Sequence, residues 1–114
     1  MLQSIHEYYG QVQRIRDFGG TNNELSIRTA FFELLNKYAR QKGLEMVAEV
    51  SIKTENGNNV IPDGTLKDCR RLDWGYWESK KEANNLDEEI RKKFAQGYPK
   101  ENILFEDGNT AVLF

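Results

Sequence analysis

A chain of 114 residues with 39% hydrophobic content makes one compact domain and leaves no room for a second independent core. Its formal charge of −2, with 30% charged residues, lacks the basic excess of a free-standing nucleic-acid binder, so a nucleic-acid substrate would have to be held by something else. His6 and Cys69 are the single histidine and the single cysteine, which excludes a disulfide framework, a Cys/His zinc site, a Cys-His nucleophile pair and a Ser-His-Asp triad, and leaves carboxylates, lysines and a metal ion as the means of any chemistry.

The start, Met1 to Gly10, carries His6 and Glu7 where a signal peptide needs an apolar stretch, and no apolar run approaches the ~20 residues that cross a bilayer. A cytoplasmic protein with no membrane partner is expected. From Leu2 to Arg16 the residues Leu2, Ile5, Tyr9, Val12 and Ile15 recur at helical spacing, and Gly19 and Gly20 end that helix. A second helix starts with Asn22 or Asn23 as N-cap and runs to about Lys42, with Ile27, Phe31, Leu34 and Tyr38 on its buried stripe, Glu24 in its first turn and Gly43 as its stop.

Beyond Gly43 the period changes to two. Met46, Ala48, Val50 and Ile52 alternate with Glu45, Val47, Glu49 and Ser51, as in a half-buried strand. Glu55-Asn56-Gly57-Asn58 supplies a hairpin turn that returns the chain through Val60, Ile61, Pro62 and Asp63, placing Asp63 in or just beyond a strand. A third strand, Leu72 to Lys80, is rich in aromatics. A third helix from Asn85 or Leu86 to Gln96 carries Leu86, Ile90 and Phe94, and its charged run Asp87 to Lys93 reads as a solvated face. Two short strands, Asn102 to Phe105 and Thr110 to Phe114, complete the order α-α-β-β-β-α-β-β, an α/β (α+β) domain with a central mixed sheet flanked by helices. The last apolar strand stops without a turn or tail, so residues 1–114 read as a piece of a longer polypeptide.

In a strand, side chains two apart share a face, so Glu78 and Lys80 project together while Ser79 faces away. The preceding strand delivers Asp63, and the fifteen-residue separation (78 − 63 = 15) suffices to turn and come back alongside it. Two carboxylates from neighbouring strands suit Mg²⁺, which takes hard oxygen ligands, uses one or two carboxylates and keeps several waters. Asp63, Glu78 and the Ser79 backbone carbonyl would make such a half-shell, with Glu24 as a further ligand if its helix crosses the sheet. Lys80 would orient a water or stabilise charge on a phosphate. Taken singly each feature has a plainer reading: Glu-x-Lys as a solvated pair, Pro62-Asp63-Gly64 as a turn, Glu24 as a favourable acid at a helix start, and Arg28 as a partner for Glu24. Without a metal the two carboxylates should repel and splay.

The series Asn23-Glu24-Leu25-Ser26-Ile27-Arg28, Ile61-Pro62-Asp63-Gly64 and Gly75-Tyr76-Trp77-Glu78-Ser79-Lys80 resembles the PD-(D/E)xK nuclease superfamily, whose shared core is α-β-β-β-α-β. The Gly-Tyr-x-Glu-x-Lys strand followed by Asn-Leu-Asp looks like the N-terminal nuclease domain of single-polypeptide (type ISP or type IIG-like) restriction-modification enzymes. That resemblance spans about Glu24 to Phe105. It implies a restriction-endonuclease-like core, Mg²⁺-dependent cleavage of double-stranded DNA with Mn²⁺ as a substitute ion, and a methyltransferase, sometimes with a helicase motor, in the same polypeptide. It makes Asp63 and Glu78 metal ligands, Lys80 the catalytic lysine and Glu24 the helix acid. The absence of an acid after Lys80 departs from many relatives. The alternatives are a non-catalytic nucleic-acid or protein-interaction module that keeps the nuclease fold, which the net acidity favours, and a nuclease of RNA or repair intermediates.

Overall fold

The computed structural model describes residues 2–19, 24–80 and 85–114, together with the backbone but not the side chains of Leu2 and Glu24. The proposed N-caps Asn22 and Asn23, and the residues Lys81 and Glu82 after the third strand, lie outside the described residues. Two helices, α1 (Leu2–Gly19) and α2 (Glu24–Gln41), precede a β-rich segment made of β1 (Glu45–Ala48), β2 (Ile52–Lys53), β3 (Asn59–Val60), β4 (Gly64–Lys67) and β5 (Asp73–Ser79). Then come α3 (Leu86–Ala95), β6 (Ile103–Glu106) and β7 (Ala111–Leu113). Among the described residues no helix is long and apolar enough to cross a membrane.

The main sheet has the order β1-β4-β5-β6-β7, while β2 and β3 form a separate two-stranded hairpin. Neighbours pair antiparallel except β5 and β6, which run parallel because α3 carries the chain back across the sheet between them. The sheet is therefore mixed. With the hairpin set aside, the order from α2 onward is α-β-β-β-α-β, followed by β7.

The helices cover the two faces of this sheet. On one side Tyr8 and Val12 of α1 pack with Ala30, Ile27, Phe31 and Leu34 of α2, and Phe31 stacks on Trp77 of β5 at 5.8 Å between ring centroids. On the other, Leu86 and Ile90 of α3 meet Val60, Tyr98, Ile103 and Phe105, with Phe94 edge-on to Phe105. Asn85 caps α3, its side chain accepting from the Glu88 amide.

Three expectations change. The strand expected through Met46 to Ile52 is broken at Glu49, whose φ of 53° turns the chain out of the sheet, so Ile52 belongs to the hairpin rather than to the strand of Met46. The Asn56-Gly57 turn forms, with Gly57 at φ 82°, but the strand it returns is β3, and the partner of both β1 and β5 is β4, which the sequence reading left unassigned. In α1 the buried tyrosine is Tyr8 at 7% exposure, whereas Tyr9 is 63% exposed.

Candidate active site

Asp63 lies at the rim of the sheet, after the fully buried Pro62 and just before β4, and Glu78 lies near the end of β5, where Gly64 pairs with Trp77. That register brings the two acids together. The Glu78 carboxylate accepts from the Asp63 amide (3.0 Å) through Oε1, and the Asp63 carboxylate accepts from the Ser79 amide (2.8 Å) through Oδ2. Each acid thus fixes one oxygen on the other strand's backbone. The second oxygen of each faces a cation: Asp63 Oδ1 is 3.6 Å from Arg28 Nη1 on α2, and Glu78 Oε2 is 3.0 Å from Lys93 Nζ on α3.

Glu78 is only 6% exposed. Burial, and next the nearby charge of Asp63, push its carboxyl above the usual range, against the pull of Lys93. Burial alone would lower the Lys93 ammonium, but the charge and hydrogen bond of Glu78 outweigh it and the net shift is upward. Lys93 also sits 5.0 Å over the Tyr98 ring, and the Tyr98 hydroxyl reaches the Ile61 carbonyl at 3.4 Å, next to Pro62 and Asp63.

Lys80 follows β5 on the face of Glu78 and is half-buried. Its Nζ is 3.6 Å from Glu89 Oε2, and Glu89 Oε1 is in turn 3.7 Å from Lys93. Glu78, Lys93, Glu89 and Lys80 form one alternating chain of charges. Ser79 points the other way, its hydroxyl hydrogen-bonded to the buried Glu106 of β6. Glu24 opens α2, the helix that supplies Arg28, but its side chain lies outside the described residues. Arg28 meets Asp63, and its Nε is buried with no hydrogen-bond partner among the described residues; the expected pairing with Glu24 involves a side chain outside them. A cavity of about 280 Å³ opens beside it, lined by Leu25, Arg28, Phe32, Glu49, Asp63 and Trp77.

The sequence reading missed Glu89 and Lys93, which belong to the run taken for a solvated face. Their side chains are 12% and 20% exposed. The signal was present: positions 89 and 93 fall three residues after Leu86 and Ile90, on the flank of the apolar stripe, where a helix residue turns toward the sheet. Trp74, by contrast, is 57% exposed and donates its indole N–H to Asp68 at 2.9 Å, so of the aromatic strand only Trp77 is fully buried.

A divalent ion fits this donor set. The second oxygens of Asp63 and Glu78, now facing Arg28 and Lys93, are hard ligands in a setting that already matches positive charge, and Mg²⁺ needs only one or two carboxylates. Among the described residues no cluster of three or more metal-ligating side chains occurs, so further ligands would be backbone or water.

A scan against protein-family models and a search of curated proteins give no match. Among solved structures, the chain is similar to the protein in a cryoEM structure of a DrdV-DNA complex, with a TM-score of 0.95 and 50% sequence identity. The chain shares its fold with one part of DrdV. The likeness covers 99% of this chain and 11% of that one, so the chain corresponds to a small fraction of the DrdV polypeptide.

Proposed function

We propose that this chain is the metal-dependent DNA-cleaving domain of a restriction-modification enzyme, with a PD-(D/E)xK-type site built from Asp63, Glu78 and Lys80. The observation that carries the reading is the reciprocal locking of Asp63 and Glu78 across the β4 and β5 ends, with Lys80 directly after the strand of Glu78. Similarity over nearly the whole chain to part of a protein solved with DNA supports the substrate class.

Asp63 and Glu78 would hold a Mg²⁺ ion, which when bound supplies Lewis acidity and a more acidic water. The backbone amides of Asp63 and Ser79 orient the carboxylates, turning the second oxygen of each toward the cationic side chains whose place the ion would take. Lys80, held near Glu89, offers an ammonium to a non-bridging phosphate oxygen or to the attacking water, stabilising charge that grows in the transition state. Arg28 places a second positive group beside Asp63 at the mouth of the cavity, suited to a phosphate. The net charge of −2 leaves duplex binding to the rest of a longer, cytoplasmic polypeptide carrying the methyltransferase.

The test is cleavage of duplex DNA and of RNA by the parent polypeptide with Mg²⁺ present. Asp63→Ala and Lys80→Ala should each abolish DNA cleavage, since loss of one positioned charge costs ~10²–10³ in rate and loss of a metal ligand at least as much. Wild-type rates in both variants would remove the nuclease site and favour a binding module. Preferential cleavage of RNA would reassign the substrate.

A further inference from the structure

We propose that Lys93 is the resident counter-cation of the site: its ammonium takes the place on Glu78 Oε2 that a divalent ion would take, and so sets how tightly the site binds that ion. The inference rests on the metal-site reading above and adds a residue that the Asp63, Glu78 and Lys80 pattern does not contain.

Three observations carry it. Lys93 Nζ lies 3.0 Å from Glu78 Oε2, the oxygen left over once Oε1 has accepted the Asp63 amide. The lysine is held there from other directions, by Glu89 Oε1 at 3.7 Å, one turn earlier on α3, and by the Tyr98 ring face at 5.0 Å. And Glu78 is 6% exposed, so a carboxylate with no cation beside it would be left charged and poorly solvated. Among the described residues, the charged groups facing this pair fit the scheme. On the rim side the negative charge of Asp63 is opposed by Arg28; Glu89 divides its two oxygens between Lys93 and Lys80. An incoming divalent ion meets an ammonium already on its ligand. Binding therefore requires Lys93 to withdraw toward Glu89, and the affinity is lowered by the interaction that is given up.

The test is calorimetric titration of Mn²⁺ and Mg²⁺ into the DNA-free 114-residue chain, comparing wild type with Lys93→Met, Lys93→Gln and Lys93→Arg, with thermal melting of each variant recorded with and without the ion. Removing a full positive charge next to the ligand should tighten ion binding on the order of tenfold in the Met and Gln variants. The Arg variant, which keeps the charge, should stay near wild type. The Met and Gln variants should also melt lower without the ion and gain more from it than wild type does. Unchanged or weaker binding in both neutral variants, with wild-type binding present, overturns the role of Lys93 and leaves the metal site standing. Absence of binding in wild type and in every variant overturns both. If Lys93→Met fails to fold, Lys93→Gln, which retains a polar tip beside Glu78, decides.

Discussion

Asp63 and Glu78 should repel each other without an ion, and the sequence reading expected them to splay. The structure gives each carboxylate a backbone amide and a cationic side chain, so the repulsion is offset locally by Arg28 and Lys93. Asp63, Glu78 and Lys80 were legible because a two-residue strand period and a fixed separation are local properties. Lys93 and Glu89 were not, because a charged helix run reads alike whether its flank meets water or a sheet; only packing distinguishes the two. A single backbone position next to this site is also testable. Gly97 has φ 99°, and a Cβ there would come 2.9 Å from Thr54 Cγ2, which belongs to the inserted hairpin. Gly97→Ala should therefore lower stability by about 1–3 kcal/mol in denaturant unfolding, combining left-handed backbone strain with a steric clash. A change within a few tenths of a kcal/mol would mean that the hairpin can move away from α3.

At the scale of elements, the helices were the most readable. The 3.6-residue stripes and the glycine stops placed α1, α2 and α3 within a few residues of their observed ends. The strands between α2 and β5 were not, for two physical reasons. Glu49 adopts a left-handed conformation without any residue type that announces it, its amide bonding to the Asp63 carbonyl at 3.3 Å. And β4, only four residues long, begins at the glycine of a Pro-Asp-Gly sequence that locally favours a turn; its strand character comes from being sandwiched between β1 and β5. Helix α1 offers the converse experiment. Gly10 lies within it with no atom near the position of an added Cβ. Gly10→Ala should raise stability by about 0.5–1 kcal/mol, the difference in helix propensity, and a loss would show that the α1 surface is covered by something at that point.

Over the whole molecule, the pH response follows from which acids are buried. Burial holds the Glu106 carboxyl above its ordinary 4.5, against donors from Ser79 and Gly108, and Glu78 is shifted the same way by burial. A carboxyl whose folded value is raised stabilises the fold at pH below its unfolded value and loses that contribution as pH rises through the folded one. Exposed acids behave oppositely: the Trp74 indole and the Leu72 amide hold Asp68 low, and Arg40 and Asn36 hold Glu45 low, so their contribution disappears only in stronger acid. The melting temperature should thus rise as pH falls through the raised folded pKa values of Glu106 and Glu78 toward their ordinary 4.5 and drop in stronger acid, where Asp68 and Glu45 lose their contribution, and Glu106→Gln should flatten the rise. A melting temperature that falls steadily from neutral pH in wild type would contradict the burial of both acids. The sequence by itself determined the class of fold, the helices, and the candidate triad Asp63, Glu78 and Lys80, since these depend on periodicity and on residues close along the chain. Only the tertiary structure decided that β4 bridges the sheet, that Asp63 and Glu78 lock on each other's backbone, and that Lys93 reaches Glu78. Those facts depend on strand register and on which flank of α3 is covered, and both are set by contacts between segments far apart in sequence.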